Sequence, residues 1–138
     1  MDTSALVKYV LPAEYDDNLE RVVLLHRKSE IQLIAPNFLL VECANVLWKN
    51  ALRTGEAFEN VISTLNDLRR TNIRLVPQEY FLEDALRIAL NMEVTVYDAL
   101  YCALARRENA ELITEDRRLR NALENTDIRC LTLRMWAE

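Results

Sequence analysis

The sequence predicts an α/β domain: a short parallel sheet in a three-layer α/β/α arrangement, with helices covering both faces. Three observations carry that expectation. Short β-rich runs alternate with helical ones along the chain, from "IQLIAP" at 31–36 to "IRCLTL" at 128–133. Strands separated by helices pair in parallel through right-handed crossovers. The length of 138 residues suits one domain, read as 1–138. Hydrophobic residues make up 51% and charged residues 28%, the balance of a chain that buries a core.

The elements follow in order. Segment 4–11 reads as a short helix ended near Pro12. Segment 15–28 carries Leu19, Val22, Val23 and Leu25 on one helical face. A buried strand at 31–36 leads into "NFLLVECANVLWKNALR". There Asn37 is the expected N-cap, and Leu40, Cys43, Ala44, Leu47 and Ala51 share a face. Gly55 separates this helix from a second one at 56–70, a helical hairpin. A strand at 73–77 and a helix at 79–91 come next, then a helix starting near Thr95. "AELIT" at 110–114 is a strand, "EDRRLRNALEN" a helix, and 128–133 the last strand.

Composition excludes several classes. The chain has one glycine, whereas a P-loop or a dinucleotide fingerprint needs several so that backbone can approach phosphates. Cys43, Cys102 and Cys130 are far apart in apolar segments and read as reduced core residues. With His26 the lone histidine and no Cys-x-x-Cys, a structural zinc site is not expected. His26 itself reads as a surface helix residue. The net charge of −5 argues against gripping nucleic acid over the whole surface, though not against a local basic rim beside a metal site. No apolar run reaches the ~20 residues of a membrane helix, and no signal peptide is visible. The expectation is a cytoplasmic protein.

Most of the 22 acidic residues read as solvated helix faces, among them Asp16, Asp17, Glu20, Glu59, Asp67 and Glu83. Four others differ by position. Asp2 and Asp116 stand where a strand hands over to a helix, and each has an alternative reading as an N-cap. Glu42 lies between Val41 and Cys43, and Asp98 between Tyr97 and Ala99, in segments that are largely apolar. A carboxylate on a buried helix is costly unless its charge is compensated. Lys49 and Arg106 are each two turns away. A hard divalent cation would compensate all four carboxylates, activate water and stabilise displacement at phosphorus.

"DTSALVKYVLPAE", "APNFLLVECANVLWK", "VTVYDALYCALA" and "LITEDRRL" resemble the signature segments of the PIN-domain family, and within it the VapC-type toxins, in order and spacing along essentially the whole chain. The resemblance implies a metal-dependent endoribonuclease using Mg²⁺ or Mn²⁺, an RNA substrate, an antitoxin partner and a homodimer. It implies catalytic carboxylates at Asp2, Glu42, Asp98 and Asp116, with the metal on Asp2, Asp98 and Asp116. Ser4, Asn45 and Thr114 would support them by hydrogen bonds, and structural roles for these three stay open. Arg117 and Arg118 are read either as an RNA-phosphate rim or as a solvated helix face. The helices around Trp48, Leu52, Phe58 and Leu65 would help form an antitoxin groove.

The resemblance also implies an apolar strand of ~4–6 residues before Asp2, at the centre of the sheet. This chain has Met1 there. The expected consequence is a sheet lacking most of its middle strand. Three explanations stand side by side: a natural product that starts upstream, closure of the gap by another segment or chain, or a decayed copy. The alternative function is accordingly a catalytically impaired module that binds a protein or RNA without cutting. A phosphoacceptor receiver domain fits worse, because Asp16-Asp17 sits in a helical segment rather than after a strand.

Overall fold

The structure, a computed structural model, describes residues 1–11 and 16–138. The expected helix stop at Pro12 and the first residue of the expected 15–28 helix lie outside the described residues. Among those described, α1 (Thr3–Leu6) runs into a 3₁₀ turn at Val7–Tyr9, and α2 (Asp17–Arg27) follows. Then come β1 (Ile34–Pro36), α3 (Leu39–Thr54), α4 (Phe58–Arg70) and β2 (Arg74–Val76). A 3₁₀ turn at Gln78–Tyr80 precedes α5 (Leu82–Met92), α6 (Val96–Arg107) and β3 (Leu112–Ile113). The chain closes with α7 (Arg117–Leu123), β4 (Cys130–Leu131) and α8 (Leu133–Ala137).

The strands are parallel, as expected, but form two separate pairs, β1 with β2 and β3 with β4. Between the pairs lies the backbone of Met1 and Asp2. The Met1 ammonium donates to the Ile34 carbonyl of β1 at 3.3 Å, and the Asp2 N–H donates to the Ile113 carbonyl of β3 at 3.1 Å. Two residues thus stand where a central strand would run. Among the described residues one hydrogen bond reaches each flanking strand, too little for a continuous ladder.

Helices cover the strands. α6 packs on β1 and β3 and carries α5, while α8 packs on β4 and α2. α6 buries every residue from Ala99 to Ala105. The largest fully buried side chains, including Leu6, Leu19, Leu39, Phe81, Leu112 and Leu133, come from elements along the whole chain. No single helix is long and apolar enough to cross a membrane among the described residues.

Several element boundaries differ from expectation: the 4–11 helix is Thr3–Leu6 with a 3₁₀ turn at Val7–Tyr9, and the strands are shorter than read. Asn37 does not cap α3: its N–H bonds the Val76 carbonyl at 2.9 Å, so Asn37 still belongs to the strand pair and Phe38 takes the cap position. The last strand stops at Leu131, because the Thr132 hydroxyl accepts from the Met135 N–H and starts α8. Two expectations are met. Thr95 caps α6, and Gly55 ends α3 at φ +71°, a left-handed conformation glycine adopts without penalty.

His26 is no idle surface residue. Its Nδ1 accepts from the Leu33 N–H at 3.2 Å, and its Nε2 lies 3.0 Å from the Asn72 carbonyl. Nδ1 also lies 3.4 Å from the Ile31 carbonyl. The ring therefore ties the end of α2 to the approaches of β1 and β2. His26→Ala should lower unfolding free energy by about 1–3 kcal/mol, read from urea denaturation. Unchanged stability would show that the two backbone groups need no ring.

Candidate active site

The site lies around the two-residue bridge between the strand pairs. Asp2 is buried and caps α1, its Oδ1 accepting from the Ala5 N–H at 3.2 Å. The same oxygen accepts from Ser4 Oγ at 2.7 Å. Ser4 Oγ in turn lies 3.2 Å from Thr114 Oγ1 and accepts from the Glu115 N–H at 2.9 Å. Ser4 and Thr114 thus join the start of α1 to the carboxyl end of β3. Burial pushes the Asp2 carboxyl above its usual range, against the opposing pull of hydroxyls from Thr114 and Ser4 and the charge of the Met1 ammonium.

Glu42 stands in the first turn of α3 and is half-buried. Its Oε2 accepts from Thr3 Oγ1 at 2.8 Å and from the Tyr101 hydroxyl. Burial raises its carboxyl too, the two hydroxyls lower it, and the charges of Asp2 and Asp98 raise it further. Asp2, Glu42 and Asp98 therefore share one electrostatic field. No lysine or arginine forms an ion pair with any of the three among the described residues. The distant bases weighed from the sequence do not serve: Arg106 makes a two-point contact with Asp127 at 3.0 and 2.7 Å, and Lys49 is exposed.

Asp98 and Asp116 have structural employment as well. Asp98 is half-buried in the first turn of α6, where its Oδ2 accepts from Thr95 Oγ1 at 2.8 Å while its N–H donates to the same hydroxyl. The Thr95 hydroxyl thus caps α6 and at the same time holds the Asp98 carboxylate. Asp116 caps α7, its Oδ1 accepting from the N–H groups of Arg118 and Leu119, and its own N–H donates to Thr114 Oγ1. Asn45 is exposed one turn beyond Glu42 and makes no hydrogen bond among the described residues. Arg117 and Arg118 are exposed at the start of α7.

Among the described residues no three acidic, histidine or cysteine side chains converge closely enough to hold an ion as they stand. The donors nevertheless suit a hard cation in kind. All are carboxylate oxygens, and the burial cost of Asp2, only partly met by its hydroxyl partners and the Met1 ammonium, is one that a bound cation would offset.

Comparison with known proteins supplies the rest. A family profile described as PIN domain matches residues 1–124. The chain belongs to the PIN domain family. It is 34% identical to "Ribonuclease VapC3" of Pyrobaculum aerophilum over 123 residues, covering 86% of this chain and 89% of that protein. It is 29% identical to "Exonuclease VapC9" of the same organism, covering 100% of this chain and 96% of that one. A solved structure, "Crystal structure of PAE2754 from Pyrobaculum aerophilum", superposes with a TM-score of 0.68 at 21% identity, over 99% of this chain and 95% of the other. That likeness supports the three-layer α/β/α reading of this PIN domain.

Two parts of the site escaped the sequence reading. Thr3 and Tyr101 hold Glu42, and their hydroxyls also lie 3.2 Å apart. A signal existed: Tyr101 falls one helical turn after Asp98, and a buried tyrosine hydroxyl wants a partner. Glu115 is the other. It accepts from Lys8 Nζ at 3.2 Å and from the Leu133 N–H at 2.9 Å, tying the first helical segment to α8.

The raised carboxyls of Asp2 and Glu42 fix a pH dependence. The folded PIN domain holds these protons more tightly than the unfolded chain, whose values are near 3.8 and 4.5. Their contribution to stability is complete below those values and is lost as pH rises through the folded ones. In EDTA, the thermal midpoint should therefore fall as pH climbs from about 4 toward neutrality. Asp2→Asn and Glu42→Gln, which keep an accepting oxygen, should each flatten that slope and raise the midpoint at pH 7. A slope unchanged in both variants would refute the assignment.

Proposed function

We propose that this PIN domain is an endoribonuclease that depends on Mg²⁺ or Mn²⁺ and serves as the toxin of a toxin–antitoxin pair. One observation carries the reading: Asp2, Glu42 and Asp98 crowd one field beside the strand ends with no basic side chain paired to them. Like charges gathered with only the Met1 ammonium beside Asp2 as a counter-charge cost stability, and function is a reason to keep them. Both curated relatives carry nuclease names, one a ribonuclease and one an exonuclease.

In this reading Asp2, Asp98 and Asp116 would hold the cation, with Asn45 a further polar group at its edge. A bound divalent ion supplies a more acidic water and charge stabilisation at phosphorus. The chain's own residues do the positioning. Ser4 and Thr114 fix the Asp2 carboxylate, and Thr3 and Tyr101 fix that of Glu42, leaving Glu42 to orient the attacking water and receive its proton. Arg117 and Arg118 would meet the RNA phosphates from the far side of Asp116.

The partner reading rests on exposed apolar side chains. Trp48, Leu52 and Phe58 stand out from the α3–α4 hairpin, suiting an amphipathic antitoxin helix. Leu65 is only half-buried there. Leu82, Leu86 and Leu90 form an exposed row on α5, where a second copy could pack as a homodimer.

A second reading is a module that binds RNA or protein without cutting it. The observation favouring it is that Asp98 and Asp116 are engaged in helix caps and that no ready ion cage exists among the described residues.

A mixed tRNA and rRNA pool, incubated with Mg²⁺, Mn²⁺ or EDTA, separates the two. Cutting should require the metal and yield internal fragments. Asp98→Asn should lose ~100-fold or more of the rate while keeping its circular dichroism, because asparagine still accepts from Thr95. Full cleavage by that variant would sink the assignment. Absence of cutting by a folded wild-type protein would favour the binding module.

A further inference from the structure

We propose that Tyr97 is the stacking platform for a base of single-stranded RNA next to the phosphate that is cut. The proposal rests on the nuclease reading above and goes beyond it by naming how the strand is held.

Tyr97 is large, aromatic and 65% exposed, at the residue before Asp98. Its position is nevertheless defined. Its ring centroid lies 5.9 Å from that of Phe38, tilted by 57°. Phe38 in turn meets Tyr101 edge-on at 5.3 Å. Tyr101 donates its hydroxyl to Glu42, and the Phe38 carbonyl accepts from the Glu42 N–H at 3.0 Å. Three rings therefore form a ladder from the protein interior to solvent, with Glu42 attached to its inner end and Tyr97 at its outer end. The inner rings restrain the outer one, while much of the Tyr97 ring stays open.

Beyond its contact with Phe38 most of the Tyr97 ring is open to solvent, and its hydroxyl has no hydrogen-bond partner among the described residues. Tyr97 directly precedes Asp98 in α6, and the ring contacts lead from it to Glu42, so its open face lies beside two of the carboxylates. A phosphate brought to the carboxylates carries its base with it, and unpaired bases stack on aromatic faces largely without regard to sequence. The arrangement fits single-stranded RNA with its base on Tyr97. Duplex RNA fits poorly, since its bases are already stacked on one another.

The test separates this proposal from the nuclease reading. Binding of a fluorescent single-stranded oligoribonucleotide is measured by anisotropy in EDTA, so that nothing is cut, for wild type, Tyr97→Ala and Tyr97→Phe. Base stacking predicts a ~5–100-fold loss of affinity for the alanine variant and near-wild-type affinity for phenylalanine. With metal present, the alanine variant should raise KM far more than it lowers kcat. An oligonucleotide with a single abasic position beside the cut should bind wild type as weakly as the intact one binds Tyr97→Ala. Equal affinity of alanine variant and wild type would overturn the proposal, as would failure of phenylalanine to rescue or failure of wild type to bind the strand at all. Tight, Tyr97-dependent binding with no metal-dependent cutting would instead uphold the platform and reject the nuclease reading.

Discussion

The fold depends on two backbone hydrogen bonds made by its first two residues. Met1 reaches the Ile34 carbonyl and Asp2 the Ile113 carbonyl, and these contacts are the backbone link between two otherwise separate strand pairs. Each strand pair alone is two to three residues long, far below what holds an isolated sheet together. Helices make up the difference. α6 lies across both β1 and β3, so its packed face spans the gap that the short bridge leaves.

The same bridge determines the site. Because Asp2 follows immediately on the backbone contact to β3, its carboxylate is buried where α1 begins, and hydroxyls must satisfy it. Ser4 and Thr114 do so, and they also lock α1 to the end of β3. Thr3 faces the other way and meets Glu42 with Tyr101. Two consecutive hydroxyl residues thus serve two different carboxylates. The two carboxylates are thus held by hydroxyl donors rather than by a lysine or arginine among the described residues.

Much was legible in the sequence because it depends on local chemistry. The alternation of helix and strand, the Gly55 stop and the Thr95 cap follow from periodicity, left-handed geometry and hydroxyl capping within a few residues. The carboxylates stood out because charge inside an apolar segment has a cost that can be read without coordinates. What failed were boundaries and partners set by distant groups. Asn37 loses its capping role to a bond with Val76, and His26 is recruited by Leu33 and Asn72. Arg106 turns to Asp127 rather than toward Asp98.

By itself the sequence determined the helix and strand order, the apolar faces and the identity of the acidic residues near strand ends, since each rests on neighbours in the chain. Its motifs also carried the family. The tertiary structure alone decided that the strands split into two pairs, that Tyr101 and Thr3 hold Glu42, and that Tyr97 is left facing solvent. It also decided that the acidic side chains do not meet in a closed cage among the described residues. The physical reason is range. Caps and periodicity act over one helical turn, whereas the field shared by Asp2, Glu42 and Asp98 exists only once chain segments some 40 to 60 residues apart are folded against one another.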